Sequence, residues 1–275
     1  MTFSAQEIEI LFGTAVVFYF VGAVLFLSNL FLKHSRLNTV AIGVSWIGML
    51  AHTASIILRG AAHRMVLFST PAEGWSLLAW AIAAMYLSLS LRPRLRALGA
   101  FALPAALIGS LIFAITSEDQ GSPVLSNVPY WEWALHVPAS ILSLGAFLLA
   151  FACAVCYLIQ DRLLKEKRAG GVLRALPPLS VLDTTSYWLV VLGFCLLTLG
   201  MASGAVLAEA AWKNAWLTHA KASTSLVLWL TCGVYLYARG IGRWRGRRTH
   251  RMVVVVVVLL VCLYGGAVLL EPRIG

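Results

Sequence analysis

Most of the chain consists of long apolar runs with almost no charge, separated by short polar joints, and a chain of that kind can only fold in lipid. Hydrophobic residues make up 60% of it and charged residues only 12%, against roughly 25% charged in a soluble domain. Inside a bilayer no water is available to satisfy an unpaired backbone group, so each crossing run must close its hydrogen bonds internally as a helix. The expected fold is therefore all-α and polytopic, with about eight transmembrane helices. Their approximate spans are 11–32, 37–58, 75–91, 98–115, 133–159, 187–207, 219–238 and 252–270. Each is long enough for a ~30 Å hydrocarbon layer at ~1.5 Å rise per residue. The first run is too long for a cleaved signal peptide, and Glu7 and Glu9 precede it where basic residues would be expected. The whole chain, 1–275, reads as a single transmembrane domain, with an inner linker at 160–186 that contains Gly170, Gly171, Pro177 and Pro178.

Orientation follows from the joints. Basic residues cluster after the first, third, fifth and seventh runs: Lys33 and Arg36; Arg92, Arg94 and Arg96; Arg162, Lys165, Lys167 and Arg168; and Arg239 to Arg251. All four clusters fall on one face, which is then cytoplasmic, and an even number of crossings places both termini outside. Arg59 and Arg64 are the exception, in an outer joint. The net charge of +10 thus sets topology; no nucleic-acid surface is expected. Arg239 to Arg251 reads either as part of that topology signal or as an inner docking surface.

Ionisable groups inside a span are costly and therefore point to function. The spans hold no carboxylate pair, phosphate loop, nucleophile elbow or zinc-protease helix. Histidine and tryptophan remain. His52 lies about 9 Å along the second helix from Leu58, and His136 about 5 Å along the fifth from Trp133. The two share a level in the outer leaflet, where neutral imidazoles could ligate a haem iron between helices; each could equally hydrogen-bond a neighbouring helix. Trp212 and Trp216 stand four apart before the seventh helix, as an interfacial anchor or as one face cradling a flat ring. His219 and His63 are outside and near water, while His34 and His250 sit among inner basic residues and are expected to be solvated. The five cysteines lie within spans, and Cys153-x-x-Cys156 is followed by Tyr157, not His, so it is read as packing.

An ordered series of motifs resembles the CcsA/HemX-type cytochrome c assembly family. It runs through Glu73-Gly74-Trp75-Ser76-Leu77-Leu78-Ala79-Trp80, then Leu135-His136-Val137, then Leu176-Pro177-Pro178-Leu179-Ser180-Val181-Leu182-Asp183. Gly193-Phe194, Leu197 to Gly200 and Gly204 follow, then Trp212-x-x-x-Trp216, and finally Arg243-Trp244-Arg245-Gly246-Arg247-Arg248. The chain departs from full members at three places. Thr218 and His219 stand where the tryptophan-rich signature ends in Trp and Asp; Tyr237 stands where the next span carries histidine; and Leu263-Tyr264-Gly265-Gly266-Ala267 lacks the family's late outer histidine. It looks closest to the short HemX/YpjD-like branch, which keeps a histidine in the second span, as His52 does here.

The resemblance implies a haem-handling membrane protein of cytochrome c assembly in the cell inner (plasma) membrane, presenting haem b at the outer face. His136 and His52 would meet the iron, with Trp212, Trp216 and His219 around the ring. It does not imply a complete cytochrome c synthase. The implied surroundings are the lipid bilayer, haem, and other cytochrome c assembly proteins or a haem-synthesis enzyme. The alternative is a non-enzymatic partner that senses haem and supports haem synthesis or a respiratory complex. A transporter is disfavoured by the lack of an inverted repeat.

Overall fold

The computed structural model describes residues 4–32, 34–62, 70–117, 130–167, 176–212 and 220–270. Among these residues the chain forms eight α-helices and no strand: α1 (Ala5–Leu32), α2 (Ser35–Ala62), α3 (Pro71–Ser90), α4 (Gly99–Thr116), α5 (Tyr130–Lys165), α6 (Leu179–Trp212), α7 (Ala220–Gly240) and α8 (Arg247–Leu270). A short 3₁₀ segment, Pro93–Leu98, links α3 to α4. Six of the helices, α1 to α6 (α4 counted with that segment), are long and apolar enough to cross a membrane. The chain is a multi-pass membrane protein.

The helices outrun the apolar cores at several ends because polar caps and helix-forming charged residues extend them into the interface. α1 starts at Ala5, not Leu11, on a reciprocal cap in which Glu7 N donates to Ser4 Oγ and Ser4 N to Glu7 Oε2. α3 starts on the same device, Thr70 with Glu73, with Pro71 in the first turn, where a missing N–H costs nothing. The 160–186 linker is shorter than expected: Gln160 to Lys165 continue α5, and α6 begins directly after Pro177 and Pro178.

The pattern of burial is that of a protein in lipid. Val17, Phe20, Val24 and Phe31 of α1 face outward, Phe31 79% exposed, while Ser45, Ser55, Ser76 and Ser110 are buried. Lipid tails are as apolar as leucine, so helices associate by close packing and polar bonds, and small residues mark the seams. A Cβ on Gly22 of α1 would lie 2.5 Å from Ser45 Oγ of α2, and one on Gly48 of α2 would lie 2.9 Å from Phe18 Cβ.

The chain divides into two units, Met1–Ser126 with Leu163–Val181, and Asn127–Arg162 with Leu182–Gly275. His52 belongs to the first and His136 to the second.

Candidate functional site

In the first unit His52 is a core residue. It is fully buried, with Nδ1 3.3 Å from Tyr19 Oη and Nε2 2.9 Å from Ser76 Oγ. Phe12 meets the ring edge-on, with centroids 5.3 Å apart. A neutral imidazole has one donor and one acceptor nitrogen, and Tyr19 and Ser76 can each serve as either partner. Both ring nitrogens are therefore engaged, and iron ligation by His52 requires one of these bonds to break. Beside it Trp80 Nε1 donates to Thr53 Oγ1 at 2.8 Å, which donates to Met49 O at 2.8 Å. Ser76→Ala leaves a buried ring nitrogen without a partner, at a cost of about 1–3 kcal/mol. Thermal unfolding should show a clear loss for Ser76→Ala and almost none for Ser88→Ala, whose exposed hydroxyl only returns to its own helix at Ala84 O.

The second unit treats His136 differently. α5 and α6 pack antiparallel along a seam of glycines. A Cβ on Gly193 would meet the Phe147 ring at 2.7 Å, one on Gly200 would meet Ser140 Oγ at 2.6 Å, and one on Gly204 would meet His136 Cε1 at 2.6 Å and Nδ1 at 2.8 Å. The steps along α6, seven residues and then four, match the steps back along α5, so the two helices stay in register over the whole stretch. The Gly200-x-x-x-Gly204 pair forms a notch, and the imidazole occupies the space where a side chain on residue 204 would be.

Within that notch Nδ1 of His136 lies 2.8 Å from the carbonyl oxygen of Gly200. A carbonyl can only accept, so Nδ1 carries the hydrogen and Nε2 of the neutral ring carries a lone pair. Nε2 makes no hydrogen bond among the described residues, and the side chain is only partly buried. A metal-ligating histidine characteristically shows this arrangement, in which one nitrogen is bonded to a backbone carbonyl, fixing tautomer and ring plane, and the other is presented outward. Ser203 Oγ donates to the same carbonyl at 3.1 Å and to Leu199 O at 2.9 Å. Among the described residues His136 thus keeps one ring nitrogen open to a further partner, whereas His52 has both engaged.

Trp216 and His219 lie outside the described residues, and of Trp212 only the helical backbone is described. Among the described residues no group of three or more His, Cys, Asp or Glu is arranged to hold a metal ion. Cys153 and Cys156 are free and fully buried.

Two residues of the basic clusters differ from expectation. His34 is exposed, but His250 is 2% exposed, not solvated. Arg239 pairs with Asp183 through two bonds, Nη1 to Oδ1 at 2.8 Å and Nη2 to Oδ2 at 2.6 Å, so it does more than set topology. Their position on α7 and α8, beside runs of exposed arginines, hid this in the sequence.

The family model described as "Cytochrome C assembly protein" matches residues 76–271. The chain is 29% identical to the cytochrome c biogenesis protein CcsA of Chlorella vulgaris, over 71% of its own length and 72% of the relative's. It is 25% identical to the CcsA of Gloeobacter violaceus, over 89% and 88%, and 25% identical to that of Porphyra purpurea, over 94% and 95%.

Proposed function

This chain belongs to the cytochrome c assembly protein family, and from that premise we propose that it holds haem b at the outer side of the membrane through Nε2 of His136. It is a multi-pass membrane protein of cytochrome c biogenesis. The observation that carries the haem reading is the His136–Gly200 bond, which leaves an oriented lone pair on a partly buried imidazole. The basic joints support a reading in which the ends of α3, α5 and α7 that carry them lie in the cytoplasm and His136, near the start of α5, lies in the outer leaflet of the plasma membrane.

When bound, haem supplies the iron for the imidazole and the porphyrin edge at which thioether bonds to apocytochrome c are made. The chain's own part is to bind and orient. Gly204 leaves room for the ring, Gly200 fixes which nitrogen keeps the lone pair, and Ser203 shares that carbonyl. No described side chain offers a general acid or base at this notch, so positioning is the contribution. Trp212, the last residue of α6, and Trp216 and His219, which come next in the sequence, complete the proposed surroundings, with other cytochrome c assembly proteins as partners. His52, bonded at both nitrogens, holds the first unit together and is the weaker candidate for iron.

The test is the absorption spectrum of the purified protein with and without reductant. A Soret band is expected for the wild type, lost or strongly shifted in His136→Ala and retained in Ser76→Ala. A protein that stays colourless after reconstitution with haem removes the proposal. Haem staining of c-type cytochromes in a deletion strain separates assembly, where they disappear, from a role in haem synthesis, where supplied haem restores them.

A further inference from the structure

At the inner end of the second unit four helices bring together a group of side chains that the haem reading does not use. Asp183 lies in the first turns of α6, Arg239 in the last turn of α7, His250 in the first turn of α8 and Tyr157 on α5. The His250 ring lies flat on Tyr157, with centroids 3.8 Å apart and planes 7° from parallel. Its Nδ1 lies 2.8 Å from the carbonyl oxygen of Gly246, a bond in which the imidazole must donate. The neutral ring therefore carries its lone pair on Nε2. That atom is buried and has no hydrogen-bond partner among the described residues. It faces Asp183 Oδ1 at 3.8 Å, a second acceptor.

Nε2 is an acceptor out of water with no donor, and the oxygen it faces, which already accepts from Arg239 Nη1 at 2.8 Å and is 17% exposed with its side chain, is an acceptor too. A bridging water needs its partners about 4.5 Å apart, from two ~2.8 Å bonds at a tetrahedral angle. The 3.8 Å gap is too short for that and too long for a direct bond. A proton on Nε2 fits: it turns one acceptor into a charged donor and needs only a closure of about 1 Å. The surrounding charges are otherwise matched. Arg239 grips Asp183 and lies 5.2 Å from the Tyr187 ring centre, Arg247 Nε holds Asp161 Oδ2 at 3.1 Å, and Arg251 on the same helix as His250 is exposed. Burial opposes a charge on His250 most and holds its pKa below the ordinary imidazole value, with Arg239 acting in the same sense; the Gly246 carbonyl, Asp183 and the face of Tyr157 favour the charge.

We propose that His250 and Asp183 form a proton-operated latch at the inner end of the second unit. With His250 neutral, the start of α8 is held by the ring stack and the Gly246 bond. A proton taken up from the inner aqueous phase at Nε2 adds a charge-assisted bond from α8 to Asp183 on α6. How firmly α8 and the basic segment Arg243–Gly246 before it are held then depends on pH. The latch stands independently of haem binding.

The experiment is ¹⁵N-imidazole NMR on the full chain in lipid nanodiscs from pH 8 to pH 5, with His250→Gln used to assign the resonance. Amide hydrogen exchange of residues 250–254, corrected for intrinsic rates, is followed over the same range. On acidification the His250 signal should move from a lone-pair Nε2 to a doubly protonated ring. Exchange should slow about tenfold, the worth of a charge-assisted bond. His250→Gln donates at every pH and should give slow, pH-independent exchange; His250→Phe keeps the stack without a donor and should stay fast throughout. A His250 that keeps its Nε2 lone pair down to pH 5, or an exchange profile unchanged by both substitutions, overturns the latch.

Discussion

Gly204→Ala is expected to weaken haem binding by about 10–100-fold, the range found when the group orienting a metal ligand is lost, while the helices stay intact. The added Cβ would sit 2.6 Å from Cε1 and 2.8 Å from Nδ1 of His136. No real Cβ contact is that short, so the ring must turn. Turning breaks the bond to Gly200 O and with it the constraint that keeps the lone pair on Nε2. Neighbouring glycines separate this effect from general damage to the seam. Gly200→Ala meets the rotatable Ser140 hydroxyl at 2.6 Å, which can swing aside, so haem binding should fall much less. Gly233→Ala on α7 meets nothing within 4 Å and should leave the Soret band untouched. Titration of each purified variant with haem, with circular dichroism as a check on helix content, gives the order. If Gly204→Ala binds haem as tightly as Gly233→Ala, the notch does not orient the ligand.

The helices were legible because lipid leaves an apolar run only one way to satisfy its backbone. Their ends were not, since a cap such as Ser4 with Glu7 lies outside the apolar core that marks a span. His136 stood out by its position and by resemblance, yet its partner is a backbone carbonyl 64 residues away. Such a bond depends on the register between two helices, which no single residue type announces. The spacing of Gly193, Gly200 and Gly204 carried the signal, as small residues on one face of α6. His52 was equally conspicuous by position, but Tyr19 and Ser76, which take up its nitrogens, look like ordinary helix residues in sequence. His250 was misread through its arginine neighbours. Thr249, His250, Val253, Val256 and Val257 are all buried, at the spacing of one helical face, while Arg248 and Arg251 point away. That periodicity places His250 with the valines, not with the arginines beside it.

The largest loss of stability is expected from Asp183→Ala. It removes both carboxylate acceptors from an Arg239 side chain that is only 10% exposed, leaving the guanidinium only the backbone carbonyl of residue 183 at 3.5 Å. Breaking a buried pair on one side typically costs about 3–5 kcal/mol. The second unit should therefore unfold at a temperature lower by on the order of 10 °C, taking 2–4 °C per kcal/mol for a chain of this size. The contact of Arg239 with the Tyr187 ring, at 5.2 Å, recovers only a fraction, on the order of 0.5–1 kcal/mol. Arg239→Lys should not rescue function of the pair, because an ammonium cannot make two parallel bonds to one carboxylate. Removing both charges is a different experiment. With Asp183→Leu and Arg239→Leu combined, no buried charge is left unpaired, and such replacements are often neutral or better. The double variant should then be more stable than either single one, with a coupling energy above about 2 kcal/mol in the cycle. Single losses that simply add would mean that each charge is already satisfied by solvent, and that the ion pair does not tie α6 to α7. The same double variant also lacks the carboxylate that His250 faces, so it should show no slowing of exchange at α8 on acidification even though it is folded.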